Sequence, residues 1–170
     1  MVTVLRLGHR SVRDARLSTH VGLTARAFGA SKIVYSGDSD KKLLGSVRKV
    51  TRGWGGPFSV CYEKNWRKVI KNFKGAKVHL TMYGLPLQKE ISKIRRKKDM
   101  LVIVGGEKVP SEVYEMVDFN VAVTSQPHSE AAALAVFLHE FFLGKELQKK
   151  FRKSQRRIFP QKCGKRVVLK

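Results

Sequence analysis

The sequence predicts an α/β fold in which a mainly parallel sheet carries helices on both faces. Short apolar segments alternate with amphipathic helical patterns along most of the 170 residues, which is the order that strand–helix–strand units produce. The apolar segments are nearly continuous Val, Ile and Leu, as is typical of strands that are covered on both sides in parallel sheets. A chain of this length, 42% hydrophobic, is long enough for one domain with a substantial core.

Strands and helices are expected to alternate from the N-terminus onwards. The strands are expected at residues 3–8, 32–36, 58–63, 77–84, 100–106 and 119–125. The helices are expected at residues 18–28, 38–50, 65–73, 86–98, 110–117 and 129–151. Ser18 is a suitable N-cap for the first helix. Pro86 suits the first turn of the fourth helix, where its missing N–H costs nothing.

The last twenty residues differ from the rest of the chain. Residues 1–150 are assigned to the α/β domain, whereas apolar content falls after residue 151. The segment FRKSQRRIFPQKCGKRVVLK, residues 151–170, is interpreted as a basic C-terminal tail.

Charge indicates the class of partner. The chain has 35 Lys and Arg against 13 Asp and Glu, a formal net charge of +22. Such a domain repels itself unless its usual partner is a polyanion. Nucleic acid is the first candidate and an anionic membrane surface a weaker one. A ribosome-associated protein would be similarly basic, so charge alone predicts no activity.

Several common sites have no support in the sequence. There is no GxxxxGK[ST] nucleotide loop, no GxGxxG after the first strand and no GxSxG elbow. The five histidines and the two cysteines, Cys61 and Cys163, have no metal-ligand or redox spacing. No metal is therefore expected. No apolar run approaches the length that crosses a bilayer and no signal peptide is apparent, so we expect no membrane and a cytoplasmic location.

Three strand ends attract attention because ligands of parallel sheets bind where strands end and helices begin. These ends are MYGLP, VGGEKVP and VTSQPHSE. In the second, a buried strand stops at Gly105 and Gly106, and a glycine there lets another backbone or a ligand approach closely. An ordinary turn is the alternative for this pair alone, but all three ends fall in the C-terminal half and are expected to form one pocket.

Arginine replaces lysine at the N-terminus. Through residue 31 every basic side chain other than histidine is arginine, and the first lysine is Lys32. Because the planar guanidinium binds phosphate with two parallel hydrogen bonds, this group is interpreted as recognising phosphate or ribose, with surface solubility as the alternative. Arg26, near a helix end beside Gly29, has a second interpretation as a residue that bonds terminal carbonyls of the helix.

Several motifs together resemble one family. THVGLTARAFG resembles the first motif of the SPOUT RNA methyltransferases, with His20 and Arg26 at its matching positions. LVIVGGEKVP resembles the second motif, and VAVTSQPHSEAAALAVFLHEF the third. With LRLGHRSVRDARLS and TMYGLPL, they are similar to the archaeal tRNA 2′-O-methyltransferases that modify cytidine 56 of the T-loop. The resemblance extends through about residue 150.

The resemblance implies a C-terminal trefoil knot, a homodimer, S-adenosyl-L-methionine as methyl donor and tRNA as partner. The residues that it implies for the cofactor are Leu85, Gly105, Gly106, Glu107, Lys108, Val109, Ser125, Gln126, Pro127, His128, Ser129, Glu130, Ala131 and Ala132. Arg10, Arg13, Arg16 and His20 are expected to bind RNA. Arg26 is the catalytic candidate, because a guanidinium can hold the adjacent phosphate and stabilise a developing alkoxide.

Two departures from the family pattern concern individual side chains. His20 stands where the wider superfamily often has Asn, and Pro127 and Ser129 stand where Ser and Asn are common. Two alternatives to the function stay open. One is a non-enzymatic RNA-binding or ribosome-assembly protein on the same fold, and the other is an RNA methyltransferase with a different target nucleotide.

Overall fold

A six-stranded parallel sheet organises the molecule. The computed structural model describes residues 1–106 and 108–170. The strands of this sheet are β1 (Val2–His9), β2 (Lys32–Gly37), β3 (Ser59–Tyr62), β4 (Ala76–Pro86), β5 (Met100–Val104) and β6 (Phe119–Ala122). Their spatial order is β3-β2-β1-β5-β4-β6, and every neighbouring pair is parallel. The predicted α/β class is confirmed.

Helices cover both faces of this sheet. They are α1 (Ala15–Ala27), α2 (Lys41–Trp54), α3 (Trp66–Asn72), α4 (Leu87–Arg95), α5 (Ser111–Glu115) and α6 (Glu130–Phe142). Buried side chains of α1, α2, α4 and α6 form one core with Val2 and Val4 of β1. Side chains of α3 and α5 form a second core with Leu5 and Leu7 of the same strand. Because alternate residues of β1 are buried on both faces, the strand has no polar face.

All six strands of the sheet point the same way, so the sheet has one side where the strands begin and an opposite side where they end. We call the edge where the strands end the carboxyl edge, and the edge where they begin the amino edge. Along β5 the two edges are about 13 Å apart, at roughly 3.3 Å per residue. Each helix that follows a strand runs back towards the amino edge. The end of α1 shows this, because the Ser31 N–H donates to the carbonyl oxygen of Val2, the first residue of β1.

Strand β4 is interrupted near its end. It pairs with β6 through Leu80↔Val121 and again through Leu85↔Val121, so residues 81–84 bulge out between the two pairings. Gly84 lies within this bulge, where an added Cβ would collide with the backbone of residues 120–121. After the bulge, Leu85 and Pro86 pair again with β6.

Two predicted helix boundaries are wrong. The first helix begins at Ala15, and Ser18 lies buried inside it with its hydroxyl 2.9 Å from Nδ1 of His9 rather than capping the helix. The last helix ends at Phe142, because Leu143 and Gly144 adopt left-handed conformations with φ of 56° and 73°. A single 3-10 turn, Lys145–Gln148, follows.

The C-terminal segment is ordered into a hairpin. Strands β7 (Arg156–Ile158) and β8 (Val167–Leu169) pair antiparallel to each other and are separate from the main sheet. All six of their residues are exposed. Within the described residues, no helix has the length and apolar content needed to cross a membrane.

Candidate active site

A cavity of about 280 Å³ opens at the carboxyl edge between the ends of β4 and β5. Its walls come from the bulge of β4, the loop after β5, α5 and the start of α6. The lining residues are His79, Leu80, Thr81, Met82, Tyr83, Val104, Gly105, Gly106, Val109, Tyr114, Pro127, His128, Glu130 and Ala133. Three of the strand ends chosen from sequence, those of β4, β5 and β6, therefore contribute to one pocket.

The structure brings together part of the cofactor set predicted from sequence. Six of its residues line the cavity: Gly105, Gly106, Val109, Pro127, His128 and Glu130. The following predicted residues do not line it: Leu85, Lys108, Ser125, Gln126, Ser129, Ala131 and Ala132. Leu85 instead pairs with Val121 and lines a neighbouring depression. Ser129 caps α6, its hydroxyl accepting a hydrogen bond from Ala132 N–H at 3.1 Å. Glu107 lies outside the described residues.

Different neighbours surround the two glycines of the loop. A Cβ on Gly105 would collide with the side chain of Val109, so packing within the chain requires glycine there. A Cβ on Gly106 would meet only the Arg6 guanidinium, whose Nη1 would be 3.4 Å away. Packing of the described residues therefore accommodates alanine at 106. Gly106 itself lines the cavity.

The floor of the cavity holds a histidine that sequence analysis missed. His79 of β4 is fully buried, its Nδ1 lies 2.9 Å from Oδ1 of Asn120, and its ring meets that of Tyr114 edge to face at 4.8 Å. The amide nitrogen of Asn120 donates to the Tyr114 carbonyl at 2.8 Å, which turns Oδ1 towards the histidine. Nδ1 therefore carries the proton. Burial lowers the pKa of His79, against the hydrogen bond to Asn120, and favours this neutral form.

An arginine lies behind the cavity wall. Arg6 is fully buried in β1, opposite Val104 of β5. Its Nη1 donates to the Leu7 carbonyl at 2.9 Å, and its Nη2 lies 4.0 Å from Oε1 of Glu130. Among the described residues, Nε and Nη2 of Arg6 have no hydrogen-bond partner. Burial lowers the pKa of Arg6, while the Glu130 carboxylate acts in the opposite direction.

Arg6 was not predicted as a site residue, because TVLRLG has the pattern of an ordinary strand. The available signal was a charged residue in the middle of a strand that is apolar on both faces. A guanidinium in such a position has to be buried, and a buried cation requires partners. Its neighbours here are the loop of Gly106 and the first residue of α6.

The predicted RNA-binding residues are all exposed. Arg10 and Arg13 lie in the loop between β1 and α1, at the carboxyl edge and next to the strand that precedes the glycine loop. Arg10 donates from Nε to Oδ2 of Asp14 at 3.0 Å. Arg16 and His20, four residues apart, lie on the exposed face of α1. The structure thus places these cations on the surface that begins beside the cavity.

Arg26 lies elsewhere. It occupies the last turn of α1, at the amino edge, where Nη2 donates to the Gly55 carbonyl at 2.6 Å. The ring of Phe151 lies 4.6 Å from its guanidinium carbon. Because α1 runs antiparallel to the strands, a residue at its C-terminal end is carried away from the carboxyl edge. Within one chain, Arg26 does not face the glycine loop. Its catalytic role stays a prediction from sequence, and the proposals below assign the chemistry to other residues.

Comparisons with known proteins identify the family. The model of the family described as "tRNA ribose 2'-O-methyltransferase, aTrm56" matches residues 54–168. The chain belongs to this family. A Pyrococcus horikoshii protein named tRNA (cytidine(56)-2'-O)-methyltransferase is 53% identical over 99% of this chain and 85% of its own length. A protein of the same name from Methanocaldococcus jannaschii is 54% identical over 99% of this chain and 96% of its own length.

Solved structures agree on the fold of this family member. The SpoU methyltransferase AviRb from Streptomyces viridochromogenes, in complex with AdoMet, superposes with a TM-score of 0.61 and 12% identity. It is matched over 85% of this chain and 57% of its own length. The TrmH/SpoU tRNA modifying enzyme of A. aeolicus gives a TM-score of 0.59 at 16% identity, over 86% of this chain and 76% of its own. At these identities the likeness concerns the fold alone.

Proposed function

We propose that this protein transfers a methyl group from S-adenosyl-L-methionine to the 2′-hydroxyl of cytidine 56 in tRNA. The observation that supports this most strongly is the identity of over 50% to archaeal proteins named for that reaction, along nearly the whole chain. The net charge of +22 and the exposed arginines beside the cavity suit a polyanionic substrate.

The cavity has the chemistry that an adenosine-containing cofactor needs. Apolar side chains of Leu80, Val104, Val109 and Ala133 provide walls for a flat ring, and the loop after β5 offers backbone N–H and C=O groups. The described residues leave room for a Cβ at Gly106, so their packing does not explain why this residue is glycine. The unprotonated Nε2 of His79 is an acceptor at the floor of this cavity. We propose that these residues hold the cofactor, which supplies a methyl group already activated on a sulfonium.

The residues around the cavity would then orient the hydroxyl and remove its proton. Among the described acids, Glu130 is the one that lines the cavity, at the start of α6. We propose that the Glu130 carboxylate stabilises positive charge nearby and accepts the proton of a hydroxyl bound there. Arg6, 4.0 Å behind it, is proposed as a positioning residue that holds this carboxylate and leaves two N–H donors towards the loop. Arg10, Arg13, Arg16 and His20 are proposed to bind the RNA backbone.

A homodimer through the region around α6 is part of the proposal, as is the trefoil knot. Ala132 and Val136 of α6 are exposed, as is Leu143 directly after this helix, and Tyr83 of the β4 bulge is 80% exposed. Apolar side chains so placed beside the cavity support contact with a second copy. Light scattering coupled to size exclusion tests the dimer. A cytoplasmic location is the corresponding proposal for where the enzyme meets tRNA.

Ribose-methylation profiling tests the reaction. A tRNA transcript is incubated with the protein and the methyl donor, and the position of 2′-O-methylation is mapped by resistance of the backbone to alkaline cleavage. We expect one new mark, at cytidine 56. A transcript that carries 2′-deoxycytidine there resists alkali from the outset, so it is assayed by transfer of a labelled methyl group, and we expect none. A mark at another nucleotide would refute the target, and no mark together with no heat of cofactor binding in calorimetry would refute the enzyme.

A further inference from the structure

The C-terminal segment 151–170, here called the arm, carries an unusual share of the charge. It holds eight of the basic residues and no Asp or Glu: Arg152, Lys153, Arg156, Arg157, Lys162, Lys165, Arg166 and Lys170. In the part of the chain that the structure describes, none of these side chains pairs with a carboxylate. Eight unneutralised cations in twenty residues repel one another and call for an external anion.

The arm contributes little to the core of the protein. Its strands β7 and β8 form an isolated two-stranded hairpin, a structure that is marginally stable alone. Ile158 is 59% exposed and Leu169 is 72% exposed. Core packing therefore gives no reason to hold this hairpin in place.

The arm is nevertheless fastened to the domain at its base. Gly56 N–H donates to the Arg152 carbonyl at 2.9 Å, and Gln155 N–H donates to the Gly53 carbonyl at 3.1 Å. Gly55 has φ of 76°, and a Cβ on it would collide with the backbone of the arm. Arg26 completes the anchor through its bond to the Gly55 carbonyl and its contact with Phe151. These contacts fix where the arm points.

Two aromatic rings of the arm, Phe151 and Phe159, lie close to basic side chains. A groove of about 710 Å³ separates it from the domain, with Trp54, Phe151, Arg156, Arg157 and Lys170 among its walls. The Phe159 ring lies between two guanidinium carbons, that of Arg157 at 5.1 Å and that of Arg166 at 5.2 Å. Guanidinium groups held on rings are fixed donors for phosphate.

We propose that the arm is a second RNA-binding surface, which grips the phosphate backbone of the tRNA away from the methylation cavity. The anchor lies at the amino edge of the sheet and the cavity at the carboxyl edge, so the two surfaces contact different parts of the RNA. The inference rests on the proposed function only for the identity of the RNA. A second copy of the chain, docking on the apolar side of the hairpin, is the competing occupant.

Charge removal on the exposed hairpin tests this surface. The arm variant is R156Q/R157Q/R166Q, and the matched control K68Q/K71Q/K89Q removes three exposed charges elsewhere. Binding of a full-length tRNA transcript is measured without methyl donor over a range of salt concentrations. We expect the arm variant to bind about tenfold or more weakly at 0.1 M salt, with a slope of log K against log salt reduced by roughly 2 to 3, because each lost phosphate contact removes about 0.7 to 0.9. The control is expected to change both values little.

A second arm variant with fewer substitutions controls for misfolding of the first. K162Q/K165Q alters only the connection between β7 and β8, and we expect its slope to fall by about 1 to 2. Heat of binding of S-adenosylmethionine is expected to match wild type for all variants. Wild-type affinity and slope in both arm variants would overturn the proposal. So would a variant that sediments as a monomer where wild type is a dimer while it binds RNA like the control, because the arm would then be an interface between copies.

The two proposals fail separately. Arm-dependent binding of a tRNA that acquires no mark at cytidine 56 would refute the methylation target and leave the arm as an RNA-binding surface. Methylation at cytidine 56 with a tRNA affinity that does not depend on the arm would refute the arm as an RNA-binding surface and leave the methylation target intact.

Discussion

Two arginines are buried at opposite edges of the sheet, and their surroundings differ. Arg6 at the carboxyl edge is fully buried, and Arg26 at the amino edge is 6% exposed. Arg26 donates from Nη2 to the Gly55 carbonyl and packs on Phe151, and of its buried donors Nε has no partner among the described residues. Arg6 has Nε and Nη2 without partners among the described residues and lies against the Gly106 loop and Glu130.

The contrast shows that burial alone does not identify a functional arginine. A guanidinium that bonds a backbone carbonyl and packs on a ring of its own chain, as Arg26 does, contributes to holding the fold together. A guanidinium that lies beside a cavity and has unpaired N–H donors can hydrogen-bond a ligand in that cavity. On this basis we assign the chemistry to the carboxyl edge and the proposed RNA-binding arm to the amino edge.

The largest effect is expected at Glu130. Replacement of Glu130 by Gln removes the carboxylate from the cavity wall and should lower kcat for methylation of cytidine 56 about 100-fold, the size typical of a lost general base. Glu140→Gln, at the opposite end of α6, is the control and should leave kcat unchanged. Initial rates with labelled methyl donor measure both. Equal rates for the two variants would remove Glu130 from the mechanism.

The glycine loop gives the next largest effect. Gly106→Ala should weaken binding of S-adenosylmethionine about tenfold while the free energy of unfolding stays within roughly 0.5 kcal/mol of wild type. Gly105→Ala should instead destabilise the fold by about 1 to 3 kcal/mol, because its Cβ meets Val109. Isothermal titration and urea unfolding separate the outcomes. Unchanged cofactor affinity in Gly106→Ala would show that the space beside it is not a cofactor site.

The anchor of the arm predicts a change of stability. Arg26→Met loses the bond to the Gly55 carbonyl and the ring contact with Phe151, so the free energy of unfolding should fall by about 1 to 2 kcal/mol. Trypsin should then cleave the arm faster than it does in wild type. Arg16→Met, exposed on the same helix, is the control. An arm that resists trypsin equally in both variants would show that Arg26 does not anchor it.

The smallest effect concerns the start of α2 at the carboxyl edge. Asp40 accepts from Leu43 N–H at 2.9 Å, and this bond holds the pKa of its carboxyl below the usual value. A lowered pKa means that its contribution is present above the pKa of the unfolded chain and is lost as pH falls through the lower folded value. Asp40→Ala should cost about 1 kcal/mol at pH 7, less at acid pH. Asp40→Asn, which keeps an acceptor, should cost little; an equal loss in both variants would contradict the capping role.

Much of the fold could be predicted from sequence. Apart from the end of α6, the strands and helices of the α/β domain fall within a few residues of their predicted ranges, because buried parallel strands are strongly apolar and the helices between them are amphipathic. The glycine loop could be found too, since Gly105 and Gly106 follow the most apolar strand. The end of α6 could not, although Gly144 signals it, because the helical pattern continues into the residues beyond.

The site was harder to predict, and the arginines explain why. Arg6 and Arg26 are alike in an arginine-rich segment, and nothing local in the sequence says that one returns to the amino edge. That fact follows only when α1 is placed antiparallel to its strand. The contact of Arg26 with Phe151 joins residues far apart in the chain and has no sequence signal. His79 was missed because its partner, Asn120, belongs to a neighbouring strand.

Steady-state kinetics of Arg6→Lys beside Arg26→Lys tests the division between the two edges most directly. With saturating S-adenosylmethionine and varied tRNA, methylation of cytidine 56 gives kcat and KM for each variant. We predict that Arg6→Lys lowers kcat about 100-fold with KM for tRNA little changed, and that Arg26→Lys keeps kcat while KM for tRNA rises. Loss of kcat in Arg26→Lys with normal turnover in Arg6→Lys would contradict the assignment of chemistry to the carboxyl edge.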